Sequence, residues 1–162
     1  MLPEINTILY ASDISEGSRP AFRMAVKQAI NNNAQIIFLH AIEPMDDFID
    51  DFLPVNASLK HKNQLIESFK IRIGMRIKEF LKSELEEDFE LPYPPTIQVS
   101  PGKPDQVILK AAARLNASMI IMGDRETSSV SRVFLGSTAQ KVIHHSEIPV
   151  LIVPLKKHTK QN

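Results

Sequence analysis

Five short apolar runs, separated by longer amphipathic stretches, constrain the fold of this chain more than any other feature of its sequence. The runs lie at residues 5–10, 36–41, 96–100, 118–122 and 149–153. Their length and apolar character are typical of strands buried inside a sheet. We therefore predict five strands.

The stretches between these runs repeat apolar residues at the spacing of an amphipathic helix. The first helix is predicted to begin after Ser18, the preferred N-cap because Pro20 suits the first turn, and to end at the asparagines 31–33. Its predicted inward residues are Ala21, Phe22, Ala25, Val26, Ala29 and Ile30. Further helices are predicted over about residues 63–86, from Pro104 to Leu115, and around an inward face of Ala139, Val142 and Ile143.

Strands that alternate with helices favour right-handed crossovers and a parallel sheet covered on both faces. The predicted fold class is therefore α/β, a doubly wound five-stranded parallel sheet. Such sheets bind ligands beyond the carboxyl ends of the strands, where the strand order reverses. A ligand-binding site is therefore expected among three stretches of the chain. They are the loop after strand one, the end of strand two, and a polar loop predicted from Gly123 to about Arg132.

The composition argues against several classes of function. The 162 residues are predicted to form one domain over 1–155 with a flexible tail over 156–162. Nineteen basic and nineteen acidic residues give a formal net charge of zero, so neither nucleic acid nor a membrane is an expected partner. The absence of cysteine excludes disulfides and cysteine-bound metals. No signal peptide is visible and no apolar run approaches the roughly 20 residues that span a bilayer, so a cytoplasmic location is expected.

A spaced glycine pattern after strand four makes a family resemblance specific. Gly123 is followed thirteen residues later by Gly136 and Ser137, which resembles the G-x-x-G and G-S/T motif of the ATP-binding universal stress proteins. Residues 8–13 resemble the opening strand of that family with its aspartate, and residues 137–153 resemble its last helix and strand. The resemblance runs from about residue 4 to residue 154.

The resemblance implies the strand order 3-2-1-4-5, an adenine-nucleotide alpha-hydrolase-like fold, and a stress-response regulatory protein that binds ATP, with or without Mg²⁺, or ADP or AMP. The nucleotide would lie between strands one and four, with Asp13 near the ribose and metal and the backbone of Ala41 at the adenine. The ribose and phosphates would be held by Gly123, Gly136, Ser137 and Thr138. The other residues expected to line the nucleotide site are Ala11, Ser12, Met122, Arg125 and Glu126.

Glu126 departs from the family pattern, because it stands where the motif has its second glycine. A carboxylate opposing a phosphate oxygen costs about 4 kcal/mol at about 4 Å and an effective dielectric near 20. Arg125 and Arg132 lie in the same predicted loop and would offset part of this cost. Two functions therefore stay open: nucleotide binding with altered phosphate contacts, and a dimeric interaction module that no longer binds nucleotide.

An enzyme is the weaker hypothesis. The sequence has no P-loop, no dinucleotide fingerprint after strand one and no G-x-S-x-G elbow, so at most slow ATP hydrolysis is expected. The adjacent His144 and His145 favour a role at a helix C-terminus over a metal site, since no third ligand is evident. His40, at the exit of strand two, is interpreted as a hydrogen-bonded core or rim histidine rather than a catalyst.

Three further patterns carry predictions with alternatives. Ser137 with Gln140 is typical of a capping box, which would explain Ser137 without a ligand. The acidic and apolar segment 45–62 is either a flap over the site or an ordinary exposed loop. Strand five carries no charge on its predicted open edge, so two copies are expected to form a homodimer there; the alternative is an edge covered by the tail or a loop. The residues of that edge are Val150, Leu151, Ile152 and Val153.

Overall fold

A computed structural model describes residues 1–14, 16–43, 59–85, 90–125 and 135–155, except for the side chains of Glu16, Leu59, Lys62 and Arg125. Its strands are β1 (Thr7–Ala11), β2 (Gln35–Ile42), β3 (Thr96–Pro101), β4 (Met119–Arg125) and β5 (Val150–Leu155). Its α-helices are α1 (Arg19–Asn32), α2 (Leu59–Leu85), α3 (Pro104–Arg114) and α4 (Ser137–His145). A short 3₁₀ turn, Glu16–Ser18, precedes α1.

The five strands form one parallel sheet in the order β3-β2-β1-β4-β5. This confirms the predicted fold class and strand order. The central strand β1 pairs with β2 on one side and β4 on the other, so that Leu9 lies between Ile37 and Ile120. The strand order reverses between β1 and β4, which is where such a sheet opens a crevice.

Alternation along β1 divides the core into two layers. Ile8 and Tyr10 face a cluster that includes apolar residues of α1 and α2, whereas Leu9 faces a second cluster built with α3 and α4. Successive side chains of a strand point to opposite faces, so one short strand supplies both layers. The predicted covering of both faces by helices is confirmed.

Four aromatic rings fill the layer beneath α1 and α2. The Phe38 ring lies 4.9 Å from that of Tyr10 and 6.0 Å from that of Phe80, both edge to face. Phe22 contacts the same rings from α1. Offset or edge-to-face pairs of this kind add to the stabilisation from buried area. This cluster fixes where β1 and β2 lie relative to the helices.

A buried carboxylate joins α2 to α1. Glu84 is only 4% exposed in its side chain, and its two oxygens lie 3.0 Å from Arg19 Nε and 3.2 Å from Arg23 Nε. Charged side chains of an amphipathic helix usually lie on its exposed face. Glu84 departs from that pattern because two arginines on the neighbouring helix compensate its charge.

Several predicted boundaries and faces are corrected. Gly123 to Arg125 continue strand β4 rather than opening a polar loop, and β5 extends through Pro154 to Leu155. Ile30 and Ile143 were predicted to face inward, but they are 41% and 42% exposed. The helix predicted to begin near residue 63 begins at Leu59.

Some predictions fall outside the described residues. They concern Glu126, Arg132, the tail 156–162 and the 45–62 segment up to residue 58. The last residues of that segment, from Leu59, belong to α2. None of the described helices is both long and apolar enough to cross a membrane.

Candidate functional site

A cavity of about 500 Å³ opens at the carboxyl ends of β1 and β4. Nine of the eleven predicted site residues line it, and they come from four separate stretches of the chain. These nine are Ala11, Ser12, Asp13, Ala41, Met122, Gly123, Gly136, Ser137 and Thr138. Of the other two, Arg125 ends β4 with a side chain that is not described, and Glu126 lies beyond the described residues. The structure thus brings the predicted residues together, and their role in binding stays a prediction.

The exit of β1 is shaped by hydrogen bonds around Ser12. Its backbone N–H donates to Leu39 O at 3.0 Å, and its hydroxyl accepts from the N–H of Ile14 at 3.1 Å. Ile14 has a φ of 60°, a left-handed conformation that costs a non-glycine residue roughly 1–2 kcal/mol. This turn leaves Asp13 exposed at the mouth of the cavity.

His40 holds the same turn from the neighbouring strand. Its Nδ1 lies 2.7 Å from the carbonyl oxygen of Ser12. A carbonyl only accepts, so Nδ1 carries the proton and Nε2 is the acceptor in the neutral ring. His40 is half-buried and lines the cavity, in agreement with its interpretation as a hydrogen-bonded rim residue.

The amino end of α4 forms the wall opposite Asp13. The N-cap is Gly136 rather than Ser137, and the Gln140 side-chain amide donates to Leu135 O at 2.8 Å. The predicted capping box is therefore wrong, because Ser137 is already the first helical residue. The backbone N–H groups of Ser137 and Thr138, the first two residues of α4, have no hydrogen-bond partner among the described residues. Free amides at a helix start, with the positive end of the helix dipole, form an anion-binding surface.

One amide at this helix end is already used. The N–H of Gly136 donates to Asp124 Oδ1 at 2.8 Å, which ties the end of β4 to the start of α4. A Cβ at position 136 would lie 3.0 Å from that oxygen, so a side chain there would press on the carboxylate. This contact between Asp124 and Gly136 depends on β4 extending past Gly123.

Gly123 has a packing role that its sequence pattern did not show. A Cβ on Gly123 would lie 2.4 Å from Leu155 Cδ1 and 2.8 Å from Leu155 Cγ. A side chain at position 123 would therefore force the Leu155 side chain or strand β4 to shift, which favours glycine here. The need for glycine at this position is thus explained without a ligand.

The charged side chains in the described lining of the cavity are acidic. The lining includes the carboxylates of Asp13, Glu43 and Asp124, and it includes no lysine or arginine. Tyr10 lies deeper and its hydroxyl donates to Ser18 O at 3.3 Å. Burial raises the pKa of the Tyr10 phenol above its usual value, so this group is neutral at physiological pH. The apolar lining comes from Leu39, Ile108, Met122, Ala139 and Leu155.

A preformed metal site is not found in the described part of the chain. No group of three or more His, Cys, Asp or Glu residues there is arranged to hold a metal ion. His144 and His145 are exposed at the end of α4, and His145 Nδ1 lies 2.8 Å from Lys141 O. The position of both histidines in the last turn of α4 and the contact of His145 agree with the helix-end role predicted for the pair.

Sequence and structure comparisons agree on one family. The model of the universal stress protein family matches residues 4–154. A universal stress protein of Thermus aquaticus, from the QAH/OAS sulfhydrylase 3′ region, is 33% identical over 147 residues, covering 91% of this chain and 97% of the relative. The structure of UspA from Lactobacillus plantarum superposes with a TM-score of 0.67 at 21% identity, covering 93% and 98% of the two chains.

A second solved structure of this fold contains a ligand. A universal stress protein in complex with cAMP superposes with a TM-score of 0.57 at 18% identity, covering 93% of this chain and 98% of that one. At this identity the likeness concerns the fold. The family match over residues 4–154 and the relative that is 33% identical along nearly its whole length lead to one conclusion: the chain belongs to the universal stress protein family.

Proposed function

We propose that this protein is a stress-response regulatory protein that binds an adenine nucleotide, ATP, ADP or AMP, in the cavity between β1 and β4. The observation that carries the proposal is the amino end of α4, where the N–H groups of Ser137 and Thr138 have no partner among the described residues and where both residues line a cavity of about 500 Å³. Small-molecule sites usually measure about 300–1,000 Å³ and combine apolar walls with a few polar groups. This cavity has both features.

The lining suggests how the nucleotide lies. The adenine packs between the apolar side chains of Leu39, Ile108 and Met122 and meets the backbone of Ala41 at the end of β2. The ribose hydroxyls reach Asp13 at the mouth of the cavity, and the phosphate accepts hydrogen bonds from the amides of Ser137 and Thr138. A cAMP complex in another member of the fold supports an adenine nucleotide as the ligand class.

A metal ion would play a secondary part. With no three-ligand cluster among the described residues, Mg²⁺ would be held chiefly by phosphate oxygens, with the carboxylate of Asp13 at the mouth of the cavity as a further ligand. The proposal therefore does not require Mg²⁺ for AMP, which brings less charge to neutralise.

Removing the Asp13 carboxylate is expected to weaken nucleotide binding about 10- to 100-fold. A hydrogen bond to a charged group contributes about 1.5–3 kcal/mol, and Asp13→Ala removes the acceptor for the ribose hydroxyls. Isothermal titration with AMP, ADP and ATP measures the effect. Glu147→Ala is the control, because Glu147 is exposed and precedes β5 at the opposite end of the sheet. If no nucleotide binds the unaltered protein at millimolar concentration, the alternative of a nucleotide-free interaction module is favoured.

We also propose that two copies associate along β5 to form a homodimer. β5 is an outer strand of the sheet, and its residues Val150 to Val153 are half-buried and uncharged. An uncharged open edge favours strand pairing with a second copy. Light scattering at micromolar concentration is expected to give a dimer, and Ile152→Lys is expected to give a folded monomer.

A matched substitution tests whether the edge itself is responsible for the dimer. Ile71→Lys places the same charge on an exposed position of α2 and should leave the dimer intact. A monomeric unaltered protein, or equal dissociation by both variants, would contradict an interface on β5.

A further inference from the structure

We propose that Asp124 makes the cavity select against phosphate charge, so that adenosine and AMP bind more tightly than ATP. The inference rests on the proposed nucleotide site and names the residue that sets its preference. The Asp124 carboxylate lies at the end of β4. Neither the family match nor the glycine pattern gives this carboxylate a role in ligand selection.

The position of the Asp124 carboxylate carries the argument. Its Oδ1 accepts a hydrogen bond from Gly136 N–H at 2.8 Å and its side chain lines the cavity. The protein therefore places its own anion at the helix end where the phosphates of the ligand would bind. A phosphate must approach this fixed negative charge to reach the amides of Ser137 and Thr138.

In the described lining of the cavity, no basic side chain compensates the charge of Asp124. Asp13, Glu43 and Asp124 are the carboxylates of this lining, and no lysine or arginine accompanies them. Repulsion grows with each negative charge on the ligand. It is largest for the triphosphate, smaller for the monophosphate and absent for the nucleoside.

Asp124 differs from the other two carboxylates in its environment. Asp13 and Glu43 are exposed, so water and salt screen them, whereas Asp124 is partly buried. Asp124 is also fixed by a bond between two rigid elements, and Gly136 leaves the space for that bond. A partly buried, fixed charge acts on a ligand more strongly than a solvated one.

Asp124→Asn tests the proposal because asparagine keeps an oxygen that can accept from Gly136 N–H while losing the charge. Adenosine, AMP and ATP are each titrated into both proteins calorimetrically, without Mg²⁺. We expect ATP to bind the variant about tenfold more tightly than it binds the unaltered protein. This is the effect expected when one negative charge is removed near a phosphate in a partly solvated site. The affinity for adenosine should change by less than about twofold. Glu147→Gln, the same change at the far end of the sheet, should alter the affinity for neither ATP nor adenosine.

The outcomes separate this inference from the site itself. If adenosine and AMP bind but Asp124→Asn leaves the ratio of ATP to adenosine affinity unchanged, the selection by Asp124 is refuted and the nucleotide site stands. An equal gain for adenosine and ATP also refutes it, because that result would indicate a change of shape rather than charge. If none of the three ligands binds either protein, the nucleotide site and the selectivity are both refuted.

Discussion

Replacing Phe38 with alanine is expected to lower the free energy of unfolding by about 3–5 kcal/mol. Phe38 is fully buried in β2, and its ring contacts those of Tyr10, Phe22 and Phe80. The loss combines the transfer of a large apolar side chain with the cavity left between β2 and two helices. Urea unfolding followed by circular dichroism measures it.

A second aromatic residue provides the control for Phe38. Tyr93 is 45% exposed, so Tyr93→Ala should change the free energy of unfolding by less than about 0.5 kcal/mol. Should Phe38→Ala fail to fold, Phe38→Leu keeps most of the volume and should cost about 1 kcal/mol. A loss below about 1 kcal/mol for a folded Phe38→Ala would contradict the packing described for this layer.

Gly123→Ala is expected to lower the free energy of unfolding by about 1–3 kcal/mol. The added methyl group would lie 2.4 Å from Leu155 Cδ1, so Leu155 or the strand must move. Gly74→Ala is the matched control, because nothing lies within 4 Å of a Cβ added there and Gly74 is inside α2. That change should raise the free energy of unfolding by about 0.5–1 kcal/mol, the usual gain of alanine over glycine in a helix.

A double-mutant cycle identifies the partner of Gly123. Leu155→Ala alone should cost about 2–5 kcal/mol, since Leu155 is buried. In that background Gly123→Ala should cost less than about 0.5 kcal/mol, because the clashing side-chain atoms are gone. If the losses in free energy of unfolding of the two single variants add up to that of the double variant, a clash with Leu155 is not the reason that Gly123→Ala is destabilising.

Much of the fold could be predicted from the sequence, because short apolar strands and amphipathic helices are local patterns. Ile30 and Ile143 show the limit of such patterns: each continues an apolar stripe, but each lies at the margin of its helix's buried face. The strand order came from the family resemblance, since periodicity carries no information on which strands are neighbours. Pro154 ended the predicted fifth strand, yet an edge strand tolerates proline on its unpaired side.

The candidate site was predictable where it depends on glycine spacing and strand ends. Asp13 and Ala41 line the same cavity, as expected from parallel strands that end at one edge, and Gly136 lines it from the start of α4. The contact between Asp124 and Gly136 could not be predicted, because the polar residues after Met122 indicated a loop and β4 in fact continues to Arg125. The role of Gly123 was likewise hidden, since its partner Leu155 lies far along the chain.

Crystals grown with AMP and with ATP give the most direct test of whether the cavity between β1 and β4 receives an adenine nucleotide. The account predicts density for the base beside the Ala41 backbone and for the α-phosphate at the amides of Ser137 and Thr138. A saturated crystal in which protein side chains fill this cavity, or in which the nucleotide binds at another place, would contradict it.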